Sequence, residues 1–408
     1  MGDMANYIAM AIPVFFVLIG LEIWFARREA LEVARLNDAI SDLSCGTLQQ
    51  ILGLFSRTAV FGVYALIYQA FHWLDISTAS AAAWMACFLG VDFFYYWFHR
   101  FSHESNFAWG AHVVHHQSED YNLSVALRQS ALQQFISAPF YWPLAVLGFP
   151  PAMFLAMSAA NTLYQFWIHT ETISRLGFLE LFLNTPSHHR VHHGCQPQYI
   201  DRNHGGTLIV WDRLFGTFEP EGERVIYGVT KPPNSWNPLF VNVHYFRELV
   251  RVTRRTSRWS DKVKVWFKRP GWLPDDVTDE PTDSPLEGVV YDARAPLPLT
   301  RYVMAHFALT MLASFFFILR FDDLSLALKG ASASLICWSV VNFGAIFEGR
   351  GWLPASEIGR LAVVLAALGA VAVLGSVGWP AAVLGILATV SSGVWFLQHR
   401  SFFATAAA

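Results

Sequence analysis

The sequence predicts an all-α, polytopic membrane protein with a histidine-rich two-metal site at the cytosolic boundary of the bilayer. Its 408 residues are 54% hydrophobic and only 14% charged, a composition that favours a membrane protein. Several apolar segments approach the ~20 residues that a helix needs to cross a bilayer. Eight of the 15 histidines follow one repeated spacing. The net charge of -3 gives no reason to expect a nucleic-acid partner.

The first apolar segment, residues 8–26, is long enough to span the membrane and lacks a clear cleavage site, so we interpret it as an anchor. Arg27, Arg28 and Arg35 follow it directly. The positive-inside rule therefore predicts that this end of the helix lies in the cytoplasm. A second span is predicted over residues 51–71.

The third predicted span, residues 81–98, ends at the first histidine group. It carries Asp92, and an ionisable side chain at membrane depth is costly enough to suggest a function. Asp92 lies seven residues before His99 and therefore on the same helical face. We expect its carboxylate to accept a hydrogen bond from a metal-ligating imidazole. A polar contact between helices is the alternative.

A helical hairpin that enters the membrane and returns is predicted from residues 134–147 and 152–168. Its turn falls at residues 148–151, which contain a glycine and two prolines. The second arm ends at His169, so the hairpin would bring this histidine to the boundary where the others lie.

The rest of the sequence divides into a polar and an apolar part. Residues 171–300 hold most of the Lys and Arg and predict a cytosolic region, in which the basic segment 247–272 would lie on anionic headgroups or form a solvated surface. Four further apolar runs cover residues 302–319, 326–346, 361–377 and 381–397. We assign them to scaffold, substrate corridor or homo-oligomer contact. The predicted domains are N-terminal transmembrane helices with a cytosolic connector (1–80), a histidine-rich core with the membrane hairpin (81–220), a cytosolic cap (221–300) and C-terminal transmembrane helices (301–408).

The histidines are spaced so that members of one group share a helical face, because positions three and four apart are neighbours on a helix. Three such rows supply more nitrogen ligands than one ion takes, since tetrahedral zinc takes four and octahedral iron six. We therefore predict two metal ions. The ligands in these rows are His99, His103, His112, His115, His116, His189, His192 and His193.

The pattern H-x3-H, H-x2-HH and H-x2-HH resembles the histidine boxes of the fatty acid hydroxylase and sterol desaturase superfamily, whose members are membrane di-iron oxygenases. The resemblance covers approximately residues 89–218, and includes the segments 92–100, 184–193 and 211–218. Residues 115–130 are most similar to the alkylglycerol monooxygenase family. That resemblance implies a monooxygenase that uses O2 to hydroxylate the ether-linked carbon of an alkylglycerol lipid, which then breaks down to an aldehyde and a glycerol derivative.

The same resemblance implies cofactors, partners and further site residues. The eight histidines would bind two iron ions, tetrahydrobiopterin or a redox protein would donate electrons, and the active site would face the cytoplasm, in the inner membrane of a bacterium or the endoplasmic reticulum of a eukaryote. His169 and His188 are assigned as additional ligands, and Glu104 and Asp92 as catalytic residues that orient a ligand or handle protons. A polar group follows the second box and comprises Glu119, Asp120, Asn122 and Arg128. We expect it to bind a lipid headgroup or cofactor, or else to form a salt-bridged helix surface.

One position departs from the family pattern. After the last box Asn203 is followed by His204, where the family has an aromatic residue. We interpret His204 as an extra ligand or a proton carrier.

Other functions agree with parts of the pattern. The same scaffold could hydroxylate or desaturate a fatty acyl chain, a sphingolipid or a sterol, because the boxes do not specify the substrate. A zinc hydrolase would use three or four ligands and a glutamate base, as in H-E-x-x-H, a motif that the sequence lacks. A metal transporter would carry its histidines along the spans and not at one boundary.

Overall fold

Helices form the fold in the computed structural model, which describes residues 2–279, 284–374 and 378–405. These residues contain no strand and only two isolated antiparallel bridges, so the all-α prediction is confirmed. In chain order the helices are α1 (Gly2–Arg28), α2 (Leu36–Phe71), α3 (Ala81–Glu104), α4 (Asn106–His116), α5 (Gln133–Leu147), α6 (Pro151–Trp167), α7 (Pro186–His192), α8 (Val210–Phe215), α9 (Pro238–Arg255), α10 (Trp259–Phe267), α11 (Leu297–Arg320), α12 (Leu326–Phe347), α13 (Leu353–Val373), α14 (Trp379–Gln398) and α15 (Ser401–Thr405).

Six helices in the described part of the chain are long and apolar enough to cross a membrane: α2, α3, α11, α12, α13 and α14. The chain is therefore an integral, multi-pass membrane protein. Helix α1 covers the predicted anchor, and α13 begins at Leu353, before the predicted run 361–377. The last positions of that run, 375–377, lie outside the described residues.

Helix α2 begins at Leu36, well before the predicted start at residue 51. Its first turns contain several polar side chains, most of which are buried in the protein. The carboxylate of Asp42, for example, accepts a hydrogen bond of 2.8 Å from Ser124 Oγ. Hydropathy alone misses such turns, because it cannot tell a buried, satisfied carboxylate from a solvated one.

The described residues form two compact units. The first unit comprises Met1–Asn234 and Leu239–Tyr291, and the second comprises Ser235–Pro238 and Asp292–Ala408. All the predicted site residues fall in the first unit.

In the first unit, α2, α3, α5 and α6 pack around an apolar cluster that includes Tyr64, Val91, Leu144 and Met153. Helices α5 and α6, each packed against α3, cover the two arms of the predicted hairpin. Its turn requires a glycine, because Gly148 has a φ of 106° and a Cβ there would lie 1.9 Å from the Leu74 carbonyl oxygen.

In the second unit, a buried polar cluster lies among α11, α12 and α13. The Glu357 carboxylate accepts hydrogen bonds from Arg360 Nε (2.9 Å), Asn342 Nδ2 (2.8 Å) and the Tyr302 hydroxyl. Charged groups away from water are stable only when paired in this way.

Candidate metal centre

The first two histidine rows come from a helix reversal. Helix α3 carries His99 and His103 in its last turns, and Ser105, in extended conformation, separates it from α4. Asn106 fixes the start of α4, because its backbone N–H donates to the Lys268 carbonyl (2.9 Å) and its Nδ2 to the Val265 carbonyl (2.8 Å). The row on α4 is thereby held against the row on α3.

The remaining ligands come from α7 and from the end of the hairpin. Helix α7 carries the third row. It starts with Pro186, and at the first position of a helix the backbone N–H that proline lacks would have no partner within the helix. His169 follows α6, and its Nδ1 lies 2.7 Å from the Gln165 carbonyl oxygen. The hairpin therefore brings a ninth histidine to the site.

The structure brings nine histidines together as two groups, in each of which the ligand nitrogens lie within 4.8 Å of one another. All nine side chains are buried. What we call the five-histidine group comprises His99, His103, His112, His116 and His192, and the four-histidine group comprises His115, His169, His189 and His193.

Outer hydrogen bonds determine which nitrogen faces the centre of the five-histidine group. The Nδ1 of His99 lies 2.8 Å from the His204 carbonyl oxygen, and the Nδ1 of His112 lies 2.8 Å from Gln133 Oε1. Because these oxygens can only accept, each Nδ1 carries the proton and each Nε2 a lone pair. The two Nε2 atoms are 3.0 Å apart. Two lone pairs at that distance repel, whereas a cation bound by both nitrogens would be stabilised.

The four-histidine group has the same arrangement. The Nδ1 of His115 lies 3.0 Å from the Arg128 carbonyl oxygen, and that of His169 donates to Gln165. Their Nε2 atoms are 3.2 Å apart, and the Nε2 of His189 is 2.9 Å from that of His169. Both groups therefore fit a bound metal ion better than they fit hydrogen bonding among themselves.

Burial keeps these imidazoles neutral, which is the form that binds a metal. It lowers the pKa of His112 and of His169 to about 4. The pKa also lies well below its ordinary value for five other ligands outside α3. Burial is the larger cause, and repulsion between neighbouring histidines is the second. These ligands are His115, His116, His189, His192 and His193.

Comparison with known proteins identifies the family. Residues 84–217 match the family model described as fatty acid hydroxylase. Alkylglycerol monooxygenase of Homo sapiens is 40% identical over 351 residues, which cover 84% of this chain and 78% of the human protein. That of Danio rerio is 44% identical over 317 residues, 76% of this chain and 70% of the fish protein. The chain belongs to the alkylglycerol monooxygenase family.

As a member of the alkylglycerol monooxygenase family, the chain is a membrane-bound oxidoreductase that acts as a lipid monooxygenase. The hydroxylase family implies iron, and the two histidine groups are suitable ligands for it. A more distant relative, an ornithine lipid hydroxylase of Rhizobium tropici, is 30% identical over 182 residues, 41% of this chain and 51% of that protein. No solved structure matches the chain.

Two further histidines lie near the groups but outside them. His188 is on α7, and its ring centroid is 5.4 Å from that of Phe218. His204 is fully buried, with its ring centroid 5.0 Å from that of His103 and 5.6 Å from that of His99. Burial lowers the pKa of His204 to about 3. Roles for both as ligands, or for His204 in proton transfer, stay predictions.

Two residues without a predicted role, Asp212 and Asn203, hold the loop that presents His204. The Asp212 carboxylate accepts hydrogen bonds of 2.7 Å from the backbone N–H groups of His204 and Gly205. Asn203, with a φ of 54°, donates from Nδ2 to the carbonyl oxygens of His188 (3.0 Å) and Glu219 (2.8 Å). The sequence signal was the departure from the family pattern at His204.

Asp92 is fully buried and accepts four hydrogen bonds. Its donors are Asn161 Nδ2 (2.6 Å), the backbone N–H groups of Thr207 (2.7 Å) and Leu208 (3.1 Å), and Trp211 Nε1 (2.8 Å). The carboxylate therefore ties α3 to α6 and to the segment that follows His204. The catalytic role assigned to Asp92 stays a prediction.

The other predicted site residues make ion pairs and hydrogen bonds within the protein. Glu104 Oε1 accepts from Arg100 Nε (3.2 Å) and from an Arg269 guanidinium nitrogen (3.0 Å). The four residues of the polar group after the second box also bond within the protein. Glu119 accepts from the Tyr291 N–H (2.8 Å) and Asp120 from Arg35 Nε (3.0 Å). Asn122 Nδ2 donates to the Val33 carbonyl oxygen (2.8 Å), and Arg128 donates to the Asp42 carboxylate (3.1 Å). These are the contacts of the salt-bridged alternative, and binding of a headgroup or cofactor by these residues stays a prediction.

Proposed function

We propose that this chain is a di-iron enzyme that uses O2 to hydroxylate the ether-linked carbon of alkylglycerol lipids, so that the product breaks down to an aldehyde and a glycerol derivative. One observation carries the two-metal part of the proposal: the buried histidines form two separate groups of facing nitrogens. The alkylglycerol monooxygenases that resemble the chain over most of its length support the substrate.

In this proposal the five-histidine group and the four-histidine group each bind one iron. Bound iron supplies the oxidation of an unactivated C–H bond with dioxygen, which no side chain can perform. Neutral imidazoles bind the metal without adding buried negative charge near lipid.

The chain's own groups position these ligands. The Gln133 amide oxygen and the carbonyl oxygens of Arg128, Gln165 and Arg202 accept from the outer imidazole nitrogens and so orient the rings. Asp92 holds the segment around His204 in place through its hydrogen bonds to that segment's backbone and to α6.

Protons and electrons would enter from the side of the polar loops. Glu104 is partly exposed, next to His103, and is proposed to orient that ligand or exchange protons with solvent. Tetrahydrobiopterin is the proposed reductant. Arg27 and Arg28 at the end of α1, and Arg35 just before α2, support a cytoplasmic location for this side of the protein.

The test is metal content together with product analysis. Protein purified in mild detergent, loaded with Fe(II) and reduced with tetrahydrobiopterin under air, is offered a 1-O-alkylglycerol. We expect two irons per chain and release of the fatty aldehyde. The His112→Ala variant should bind less iron and release no aldehyde, whereas the control His72→Gln, at an exposed histidine outside both groups, should behave as the parent protein.

Three outcomes separate the alternatives. Two irons with untouched alkylglycerol would keep the di-iron site and move the substrate to an acyl lipid, a sphingolipid or a sterol. Aldehyde formation with a redox protein and not with the pterin would change the electron donor alone. One tightly bound zinc without oxygen uptake would refute the di-iron proposal.

A further inference from the structure

A cavity of about 320 Å³ lies among α2, α3, α5 and α6. This volume is at the lower end of the range for small-molecule sites, enough for a headgroup and the first part of a lipid chain. Among the residues that line it are Arg57 on α2, Tyr95 and Phe98 on α3, Gln133 on α5 and Asn161 on α6.

The cavity shares a wall with the five-histidine group. Gln133 lines the cavity and accepts the hydrogen bond from His112 Nδ1 at 2.8 Å. The ring of Phe98 lies 6.4 Å from that of His112, and the ring of Tyr95 lies 5.2 Å from that of His99, between centroids. A ligand in the cavity is therefore separated from these histidines by single side chains.

On α5 and α6 the lining changes from polar to apolar with distance from the histidines. The end near the histidines has the side chains of Gln133, Gln134 and Ser137 on α5, and Asn161 and Thr162 on α6.

The other end of the cavity is formed by rings and aliphatic groups. Phe154 stacks on Tyr64 with centroids 4.3 Å apart, and Tyr141 packs on Phe154 at 5.3 Å. A cavity with this polarity fits an amphiphile whose polar end lies toward the histidines and whose chain lies toward the aromatic residues.

Two polar atoms of the lining are buried without a hydrogen-bond partner: Trp142 Nε1 and Ser158 Oγ. On α6, Ser158 lies between the polar Asn161 and the apolar Leu155. On α5, Trp142 follows Tyr141, after the polar lining residues of that helix. Such unpaired atoms cost free energy. The indole N–H and the serine hydroxyl can each donate, so a ligand oxygen next to either atom would supply the missing acceptor.

We propose that this cavity binds the lipid substrate. Hydroxyl or ether oxygens of its headgroup would be hydrogen-bonded to Trp142 and Ser158, and its hydrocarbon chain would lie along Tyr64 and Phe154. The proposal rests on the proposed function for the choice of a glyceryl ether as ligand. Its test, however, measures binding in addition to turnover.

The probe is a 1-O-alkylglycerol that carries a photoreactive diazirine in its alkyl chain, used with the full chain in nanodiscs. We expect labelled peptides to come from α2, α5 and α6. Ser158→Ala and Trp142→Phe each remove one donor with little change of shape. Each should weaken binding of the probe about three- to tenfold, the range of one hydrogen bond. Neither should weaken binding of a matched hydrocarbon probe without oxygens.

Ser314→Ala is the matched control, because this serine lies in a membrane helix of the second unit and its hydroxyl bonds the Thr310 carbonyl of the same helix. It should leave probe binding unchanged. Thermal unfolding of each variant verifies that it is folded, and Ser158→Leu, which fills the cavity, should abolish labelling.

The outcomes separate the two proposals. Labelling in the cavity without aldehyde release would retain the binding site and reject ether cleavage. Aldehyde release with labelling elsewhere, or equal probe affinity in Ser158→Ala, Trp142→Phe and the parent protein, would overturn the cavity proposal while the proposed function stands.

Discussion

Acceptor groups outside the histidine groups decide which imidazole nitrogen is free. Backbone carbonyl oxygens serve this purpose for His99, His115, His169 and His192, while His112 uses the side chain of Gln133. A backbone oxygen cannot be removed by substitution, so Gln133 is the position at which this effect can be measured.

We predict that Gln133→Leu lowers iron affinity about 10- to 100-fold, because outer partners of ligating histidines have effects of that size. The measurement is iron retained against a competing chelator. Gln134→Leu, one position along, is the control, since Gln134 Nε2 bonds Ser56 Oγ at 2.7 Å. Equal iron retention in both variants would show that the hydrogen bond to His112 is unimportant.

At the scale of helices, a buried carboxylate connects elements that are distant in the sequence. Asp92 on α3 accepts from Asn161 on α6, from two backbone N–H groups in the segment that leads into α8, and from Trp211 in α8. Without this connection the loop that carries His204 would keep its contact with His99 but would lose four hydrogen bonds that tie the following segment to α3 and α6.

We therefore predict that Asp92→Asn lowers the free energy of unfolding by about 2–3 kcal/mol, because an amide nitrogen would face donors that now bond a charged oxygen. Thermal unfolding measures the effect, and iron content is measured on the folded fraction. Iron content should change less than twofold. Loss of iron at an unchanged unfolding temperature would instead support the direct imidazole partner that the sequence suggested.

The helices of the second unit depend on the cluster around Glu357. Glu357→Ala would leave Arg360, which is 4% exposed, without its partner, and breaking a buried ion pair costs about 3–5 kcal/mol. We expect a lower unfolding temperature for Glu357→Ala, measured in detergent. The double variant Glu357→Ala, Arg360→Ala should lose less than the sum of the two single variants. Additive losses would mean that the pair does not interact.

For the molecule as a whole, stability should depend on pH through the buried histidines. The pKa of His112 and of His169 is about 4 in the folded state and about 6.5 in an unfolded chain. Between these values the unfolded chain binds more protons, so the free energy of unfolding falls as the pH falls from 6.5 toward 4, and these groups add no pH dependence above 6.5.

The measurement is the thermal unfolding temperature of metal-free protein at pH 7.5, 6.5 and 5.5. We expect little change between the first two values and a clear decrease at the third. A variant in which His169 is replaced by glutamine should show a smaller decrease, because one titrating group is removed. An unfolding temperature that is constant down to pH 5.5 would show that these histidines are not buried in the folded state.

The sequence by itself determined the all-α membrane class and the histidines that form the two groups. Long apolar segments can satisfy their backbone groups in lipid only as helices. Histidines three and four residues apart on a helix share a face whatever surrounds them. Both properties are local, and local spacing can be read from one chain.

Tertiary structure alone decided which partners these residues have. The spacing places His112, His115 and His116 in one row, yet His115 belongs to the four-histidine group and its two neighbours to the five-histidine group. Asp92 shares a helical face with His99 but bonds Thr207, and no sequence pattern indicated Gln133 or Asp212. These pairings join residues far apart in the chain, and depend on how the helices pack.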